Sequence, residues 1–169
     1  MANKFRVLAI NPGSTSTKIG VYDDDKLLFE EVVRYSGEEL AQFNGIIGQY
    51  GFRKEGIEKI LAGKKVHLGT MDAIVGRGGL LKPIPSGTYI VNDKMVEDLK
   101  NEVNGSHASN LGALIAYELA NEIDVPAYVV DPVVVDELDP IVRITGRPEI
   151  MRRSIFHALN QKAVAKRMA

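Results

Sequence analysis

The stretch Asn11-Pro12-Gly13-Ser14-Thr15-Ser16-Thr17-Lys18 gathers phosphate-binding chemistry into eight residues. Its backbone N–H groups, its serine and threonine hydroxyls and a terminal ammonium are the donors that a phosphate group needs. The stretch follows the apolar run Val7-Leu8-Ala9-Ile10 and precedes Ile19-Gly20-Val21-Tyr22, so it reads as a polar turn between two strands. It is not a Walker loop: the G-x-x-x-x-G-K-[ST] spacing does not fit it, and a strand rather than a helix should follow. An ordinary hairpin turn is the competing reading, because Asn, Pro, Gly and Ser are all frequent turn formers.

Four other positions carry side chains suited to anion chemistry. Arg77 stands among glycines in Gly76-Arg77-Gly78-Gly79, at an expected strand end. A guanidinium there can clamp a carboxylate or phosphate through two parallel bonds, or simply be a solvated turn arginine. His107 lies at the mouth of an expected helix in Gly105-Ser106-His107-Ala108-Ser109-Asn110, where capping that helix is the simpler role. Asp131 ends a strand-like run just before Pro132. That is a frequent place for a carboxylate near ligands or Mg²⁺, and equally for a turn-forming Asx residue. His157, in Arg152-Arg153-Ser154-Ile155-Phe156-His157, reads by itself as an ordinary surface or core histidine.

The elements that must position these groups are strands alternating with helices. Strands are expected at about 5–11, 17–22 and 26–33, with Asp23-Asp24-Asp25 as the turn between the last two. Helices follow within about 37–48 and 53–62. Ala73-Ile74-Val75 reads as a short buried strand, and 88–91 as an extended segment after Lys82-Pro83-Ile84-Pro85. Two helices are expected at about 93–101 and 109–122; in the second, apolar residues at 111, 114, 115, 119 and 123 form one helical face. A strand at 127–130 leads into an irregular basic segment from Asp139-Pro140, and residues 150–168 read as a final helix with Ile155, Leu159 and Ala163 one turn apart. A hairpin followed by alternating strands and helices predicts the α/β class, with a mixed β-sheet in one domain over 1–169.

Composition narrows the function classes. The chain has 169 residues, enough for one domain with a sizeable core, and its 45% hydrophobic and 25% charged content is that of a globular protein. A net charge of −1 supplies no global attraction to nucleic acid or membrane. The absence of cysteine excludes a disulfide scaffold and thiolate metal sites, and fits a reducing cytoplasm. Neither a signal peptide nor a membrane span is expected. The charge is uneven: residues 118–139 hold seven acids and no base, whereas 143–169 hold seven Lys or Arg and one acid, Glu149. A solvated helix face accounts for most of that basic end, and its single aromatic residue, Phe156, gives no interleaved set for base stacking.

Taken in order, these segments resemble the acetate kinase and butyrate kinase family. Residues 11–18 look like its first phosphate loop, 73–79 its substrate-site arginine segment, 107–112 its histidine-asparagine helix start, 130–132 its aspartate strand, and 152–157 its arginine-to-histidine segment. Gly76-Arg77-Gly78-Gly79-Leu80-Leu81-Lys82-Pro83-Ile84 and Asp131-Pro132-Val133-Val134-Val135-Asp136-Glu137-Leu138 resemble butyrate and branched-chain carboxylate kinases more than acetate kinase. The resemblance implies the actin-like, sugar-kinase and heat-shock ATPase (ribonuclease H-like) fold, and the reaction ATP + carboxylate ⇌ ADP + acyl phosphate, with Mg²⁺.

By the same resemblance Asn11, Gly13, Ser14, Ser16 and Lys18 would bind the phosphates, and Arg77 would clamp the substrate carboxylate or the acyl phosphate. His107 and His157 would donate to phosphoryl oxygens in the transition state, and Asp131 would orient Mg²⁺, directly or through water. Gly78, Gly79 and Ser106 would leave room for a four-carbon or branched chain, against an apolar wall from Phe156. The family's second half carries the other phosphate loop and the adenosine pocket. After Gly112 this chain has only Gly146, so no second glycine-rich loop is expected in it. The expected partners are therefore a short-chain carboxylate, its acyl phosphate, and a C-terminal domain or partner chain; a homo-oligomer stays open. The alternative is a non-catalytic anion-binding or interaction domain of the same fold.

Overall fold

The computed structural model describes residues 4–155 and 157–169. Strands β1 (Arg6–Pro12), β2 (Ser16–Asp23) and β3 (Lys26–Arg34) form an antiparallel meander. The β2–β3 turn bends at Asp24, which adopts φ +53°, a left-handed conformation that Asp tolerates better than most residues. Strands β4 (Ala73–Arg77) and β6 (Ala127–Val130) run parallel to β1, and the short β5 (Thr88–Ile90) pairs antiparallel with β6. The result is one six-stranded mixed sheet of order β3-β2-β1-β4-β6-β5.

Side-chain alternation divides the sheet into two faces. Leu8, Ile10, Ile19, Val21, Ile74 and Val129 point to one face and are buried. Two helices cover that face: α2 (Tyr50–Gly63), through Ile57 and Leu61, and α4 (Asn110–Glu122), through Leu111, Ile115 and Leu119. Each such fully buried side chain contributes about 1.5–3 kcal/mol. Helix α4 is buried nearly all round its first seven residues, which explains why its sequence is apolar beyond a single stripe. Lys54 of α2 reaches Glu118 of α4 at 2.5 Å and also bonds Glu122, while the Tyr50 hydroxyl donates to Glu118, so polar contacts fasten the two helices at their solvent edge.

Glycine sets how closely α4 approaches β4. A Cβ on Gly76 would lie 2.3 Å from the Gly112 carbonyl oxygen, so strand and helix meet backbone to backbone. Helix α3 (Asp93–Lys100) packs beside α4 and is capped by Asn92, whose side chain accepts from the Met95 N–H at 2.9 Å.

The three first strands, the helices at about 53–62, 93–101 and 109–122, and the strands near 73, 88 and 127 form as the sequence predicts. Two expectations fail. The helix expected within 37–48 is only α1 (Gly37–Ala41), held by a Ser36–Glu39 capping box; the chain then turns, with Gly45 at φ +71°, which a helix cannot continue through. The last helix, α5 (Ala158–Met168), begins eight residues later than expected, because His157 takes φ +53°. Ile155 is exposed and outside that helix, so the expected stripe of Ile155, Leu159 and Ala163 does not exist.

Candidate active site

Three parallel strands deliver their C-terminal ends to one edge of the sheet: β1 at Pro12, β4 at Arg77 and β6 at Val130. The start of α4 reaches the same edge, because Gly112 nestles against the Arg77 carbonyl and the Pro12 ring. Ligands of open α/β sheets bind at such C-terminal edges. On the sheet face opposite α4, Lys18 is registered with Asn11, Asn11 lies one step beyond the Ile10–Gly76 pair and so beside Arg77, and Arg77 is registered with Val130. Asn11, Lys18 and Arg77 line one open cleft of about 330 Å³, together with Tyr22 and Glu30. Arg77, Asp131 and His157 line an adjoining cleft of about 300 Å³. Arg77 is therefore shared by both.

The geometry fixes the protonation of the two histidines. Arg77 Nη2 lies 2.9 Å from His157 Nδ1. A guanidinium has no lone pair to offer, so Nδ1 accepts and the imidazole proton sits on Nε2. Burial, then the positive charge of Arg77 and the neighbouring His107, hold the His157 pKa below its ordinary value. His107 Nδ1 accepts from the Ser109 backbone N–H at 3.1 Å and lies 2.7 Å from the Ser109 hydroxyl. That leaves Nε2–H of His107 as its donor as well. Each histidine is thus a neutral donor whose other nitrogen is occupied by the protein.

Asp131 has φ +43° and is clasped to the turn at Gly87: its N–H donates to the Gly87 carbonyl at 3.1 Å, and its Oδ1 accepts from the Gly87 N–H at 3.0 Å. This is a long-range clasp and not the expected Asx turn, and it uses one carboxylate oxygen, Oδ1. Among the described residues no group of three or more His, Asp or Glu could hold a metal. A lone exposed carboxylate still fits Mg²⁺, which is commonly bound by one or two carboxylates together with substrate phosphates and water. The segment that brings His157 in is anchored by Asp136, which grips Arg143 through two bonds of 2.7 Å, and by the Ser154 hydroxyl, which donates to the Val135 carbonyl at 2.5 Å.

The 13–16 turn projects Ser14 and Thr15 into solvent, and its Gly13 N–H donates to the Ser16 carbonyl at 2.7 Å. Lys18 lies beyond the turn, on the open face, where Glu30 pairs with it at 2.7 Å. Its charge is therefore compensated in this structure. Two specificity expectations need correction. Gly78 and Gly79 do not open space for a substrate: a Cβ on Gly78 would meet Pro132 at 2.6 Å, and one on Gly79 would meet Asn110 at 2.6 Å. Both glycines instead let the 77–80 loop pack on Pro132 and the start of α4. Ser106 is exposed and donates to Glu102 at 2.5 Å, and Phe156 lies outside the described residues.

Sequence reasoning gave no individual role to two residues. Asn110, fully buried, accepts from the Leu80 N–H at 2.8 Å and donates to the Gly105 carbonyl at 2.9 Å, tying the arginine loop to the approach of α4. Arg53, also fully buried, reaches under the 13–16 turn from α2. It donates to the carbonyls of Gly13 (2.7 Å), Ser14 (2.9 Å) and Ser16 (3.1 Å). The signal was available: Gln49, Arg53, Ile57 and Leu61 recur every fourth residue, which places an arginine in an inward-facing row.

No family model matches the chain. Butyrate kinase 1 of Clostridium acetobutylicum is 61% identical to it over 165 residues, 98% of this chain and 46% of that relative. The chain thus spans about half the length of the curated relative it matches. Among solved structures, acetate kinase of Porphyromonas gingivalis superposes with a TM-score of 0.63 at 15% identity, covering 97% of this chain and 48% of that one. A propionate kinase of Francisella tularensis superposes with a TM-score of 0.54 at 16% identity, covering 96% and 48% respectively. These two establish the fold, that of the actin-like ATPases with a ribonuclease H-like sheet, and the sequence identity makes the chain similar to butyrate kinase 1 over about half of that relative's length.

Proposed function

We propose that this chain supplies the carboxylate-binding half of a cytoplasmic butyrate kinase-type enzyme, which moves the γ-phosphoryl group of ATP to butyrate or a related short or branched carboxylate. The observation that carries this reading is the placement of Arg77, which is shared by a cleft with Asn11 and Lys18 and a cleft with Asp131 and His157. A cation between two adjoining clefts suits a reaction that must bring two anions together.

The substrate carboxylate is ionised at neutral pH and needs no general base. One of its oxygens attacks the γ-phosphorus, the bond from that phosphorus to the β–γ bridging oxygen breaks, and ADP departs with the electron pair. The obstacle is repulsion between anions, so catalysis is positioning and charge stabilisation. Arg77 holds the carboxylate or the transferring group. His107 and His157, each with its proton on Nε2, donate to phosphoryl oxygens. Asp131 would hold Mg²⁺ directly or through water, and that ion would neutralise charge on the phosphates. The nucleotide's remaining contacts belong to a second domain, on this chain's continuation or on a partner chain.

Acyl-hydroxamate formation from ATP with acetate, propionate, butyrate or isobutyrate tests the reading. Little turnover is expected from these 169 residues alone, and turnover favouring the four-carbon acids once they are joined to the C-terminal half of a butyrate kinase. A joined protein that folds and phosphorylates none of the four acids overturns it. The half-length match to the relative favours one other reading, a non-catalytic anion-binding domain. That domain would bind phosphate and stay inactive in the joined protein.

A further inference from the structure

Arg53 is a buried cation without a counter-ion. Its side chain is fully buried, and among the described residues it forms no ion pair. Every acceptor it meets is neutral: the carbonyls of Gly13, Ser14 and Ser16, the Thr17 hydroxyl at 3.3 Å, and the Gln49 amide oxygen, which takes Nη2 at 2.8 Å and Nε at 3.1 Å. The Tyr35 ring lies 4.8 Å from the guanidinium carbon, and the Tyr35 hydroxyl donates to Thr17 at 3.1 Å. Removing an unpaired charge from water is costly, and a hydrophobic residue at this inward position of α2 would avoid that cost. The arrangement therefore calls for a reason beyond packing.

Peptide geometry supplies it. In a planar trans peptide the carbonyl and the following N–H point in opposite directions. With the Gly13 carbonyl drawn inward to Arg53, the Ser14 N–H must face outward. With the Ser14 carbonyl drawn inward, the Thr15 N–H must face outward too. The Thr15 carbonyl is also engaged, accepting from the Tyr35 N–H at 2.9 Å. Both residues are exposed, and neither N–H donates to a protein group among the described residues.

We infer that Arg53 is the positioning residue of the phosphate loop: it turns the carbonyls of Gly13 and Ser14 inward, so that two adjacent N–H groups face a phosphoryl oxygen, and it places an uncancelled positive charge beneath them. Arg53 itself touches no ligand. This inference rests on the phosphate-binding reading of the loop given above.

The test uses the full chain, inorganic phosphate as the probe at constant ionic strength, and the backbone amide resonances of Ser14 and Thr15 as the readout. Gln49→Glu is the informative variant, because it sets a carboxylate against the guanidinium without removing it. The ion pair should hold or raise Tm, while phosphate affinity falls about tenfold, the effect of one unit charge about 10 Å away in an effective dielectric of about 20. A merely structural role moves stability and affinity together, so a parallel loss of both overturns the inference. Arg53→Lys is the second variant: it keeps the charge but not the planar fork, and phosphate affinity should fall while the two amide resonances shift even without phosphate. If Gln49→Glu binds phosphate as tightly as the parent, Arg53 has no such role and the phosphate loop stands. If phosphate moves neither resonance in the parent chain, the phosphate-loop reading itself is refuted, and this inference with it.

Discussion

Replacing Gly76 with alanine tests whether backbone contact between β4 and α4 positions the site. The added Cβ would stand 2.3 Å from the Gly112 carbonyl oxygen, 2.4 Å from its carbon and 2.8 Å from the Ala113 nitrogen. Ordinary contact begins at 3.4 Å, so the start of α4 must lift off β4 by about 1 Å. The obstructing atoms are backbone, which cannot rotate away as a side-chain tip can. Overpacking of a core costs about 1–3 kcal/mol, and this site belongs at the upper end. For a chain of this length, about 3 kcal/mol corresponds to a fall in Tm of about 6–12 °C. Gly51→Ala is the matched control: the same methyl is added within α2, where nothing lies within 4 Å, and should stabilise by a few tenths up to about 1 kcal/mol. Urea unfolding of the three proteins, read by circular dichroism, gives both differences. If Gly76→Ala lies within about 0.5 kcal/mol of the parent, α4 is not seated on β4 as described. The expected loss would then have to be sought elsewhere in the 105–112 segment.

Two further outcomes follow from the site. His157 should titrate below its ordinary range, and Arg77→Gln should move its pKa upward by removing the positive charge that helps depress it; histidine NMR titration reads both, and an unchanged or lowered pKa in the variant refutes the Arg77–His157 contact. The sign for stability is fixed by the depressed pKa: the contribution is whole above the unfolded-state value near 6.5 and is lost as pH falls from there through the lower folded-state value. Asn110→Ala strips partners from the Leu80 N–H and the Gly105 carbonyl and should cost about 2–4 kcal/mol, with faster amide exchange confined to residues near 80 and 105; a neutral substitution would show that water replaces both bonds.

Much of this architecture was legible in the sequence, and for identifiable reasons. Val7-Leu8-Ala9-Ile10, Ala73-Ile74-Val75 and 127–130 read as strands because short apolar runs bounded by turn residues have few other uses. Helix α4 was legible because its apolar residues fall on one face, although burial on nearly all sides was not foreseen. The two overlong helices stop for different reasons. Helix α1 ends at Ala41, just ahead of the poor helix formers Asn44 and Gly45, whereas α5 cannot begin before His157, whose left-handed backbone is commoner for His than for most residues but is not marked by any pattern in the sequence. Candidate side chains were found where their chemistry is unusual for their surroundings, as with Arg77 among glycines. Their partners were not, because the Arg77–His157 contact joins residues eighty apart in the chain. Gly78 and Gly79 misled, since small size in a sequence does not distinguish room for a ligand from room for the protein's own backbone.

Strand β3 has one further consequence. It is nine residues long, pairs only with β2 among the described residues, and so leaves one side of its backbone without a strand partner there. Leu27, Leu28 and Val32 along it are substantially exposed, a combination that ordinarily promotes strand addition and aggregation. Lys26, Glu30, Glu31 and Arg34 interrupt that apolar sequence. Lys18 and Lys64 pair with Glu30 and Glu31, which holds two of these charges in place. The safeguard against edge-to-edge association is therefore ionic, and salt weakens such exposed charges once the screening length falls to about 10 Å or less. Solutions of this protein should stay dispersed at low ionic strength and self-associate through β3 as salt is added, the reverse of what charge attraction between molecules would produce.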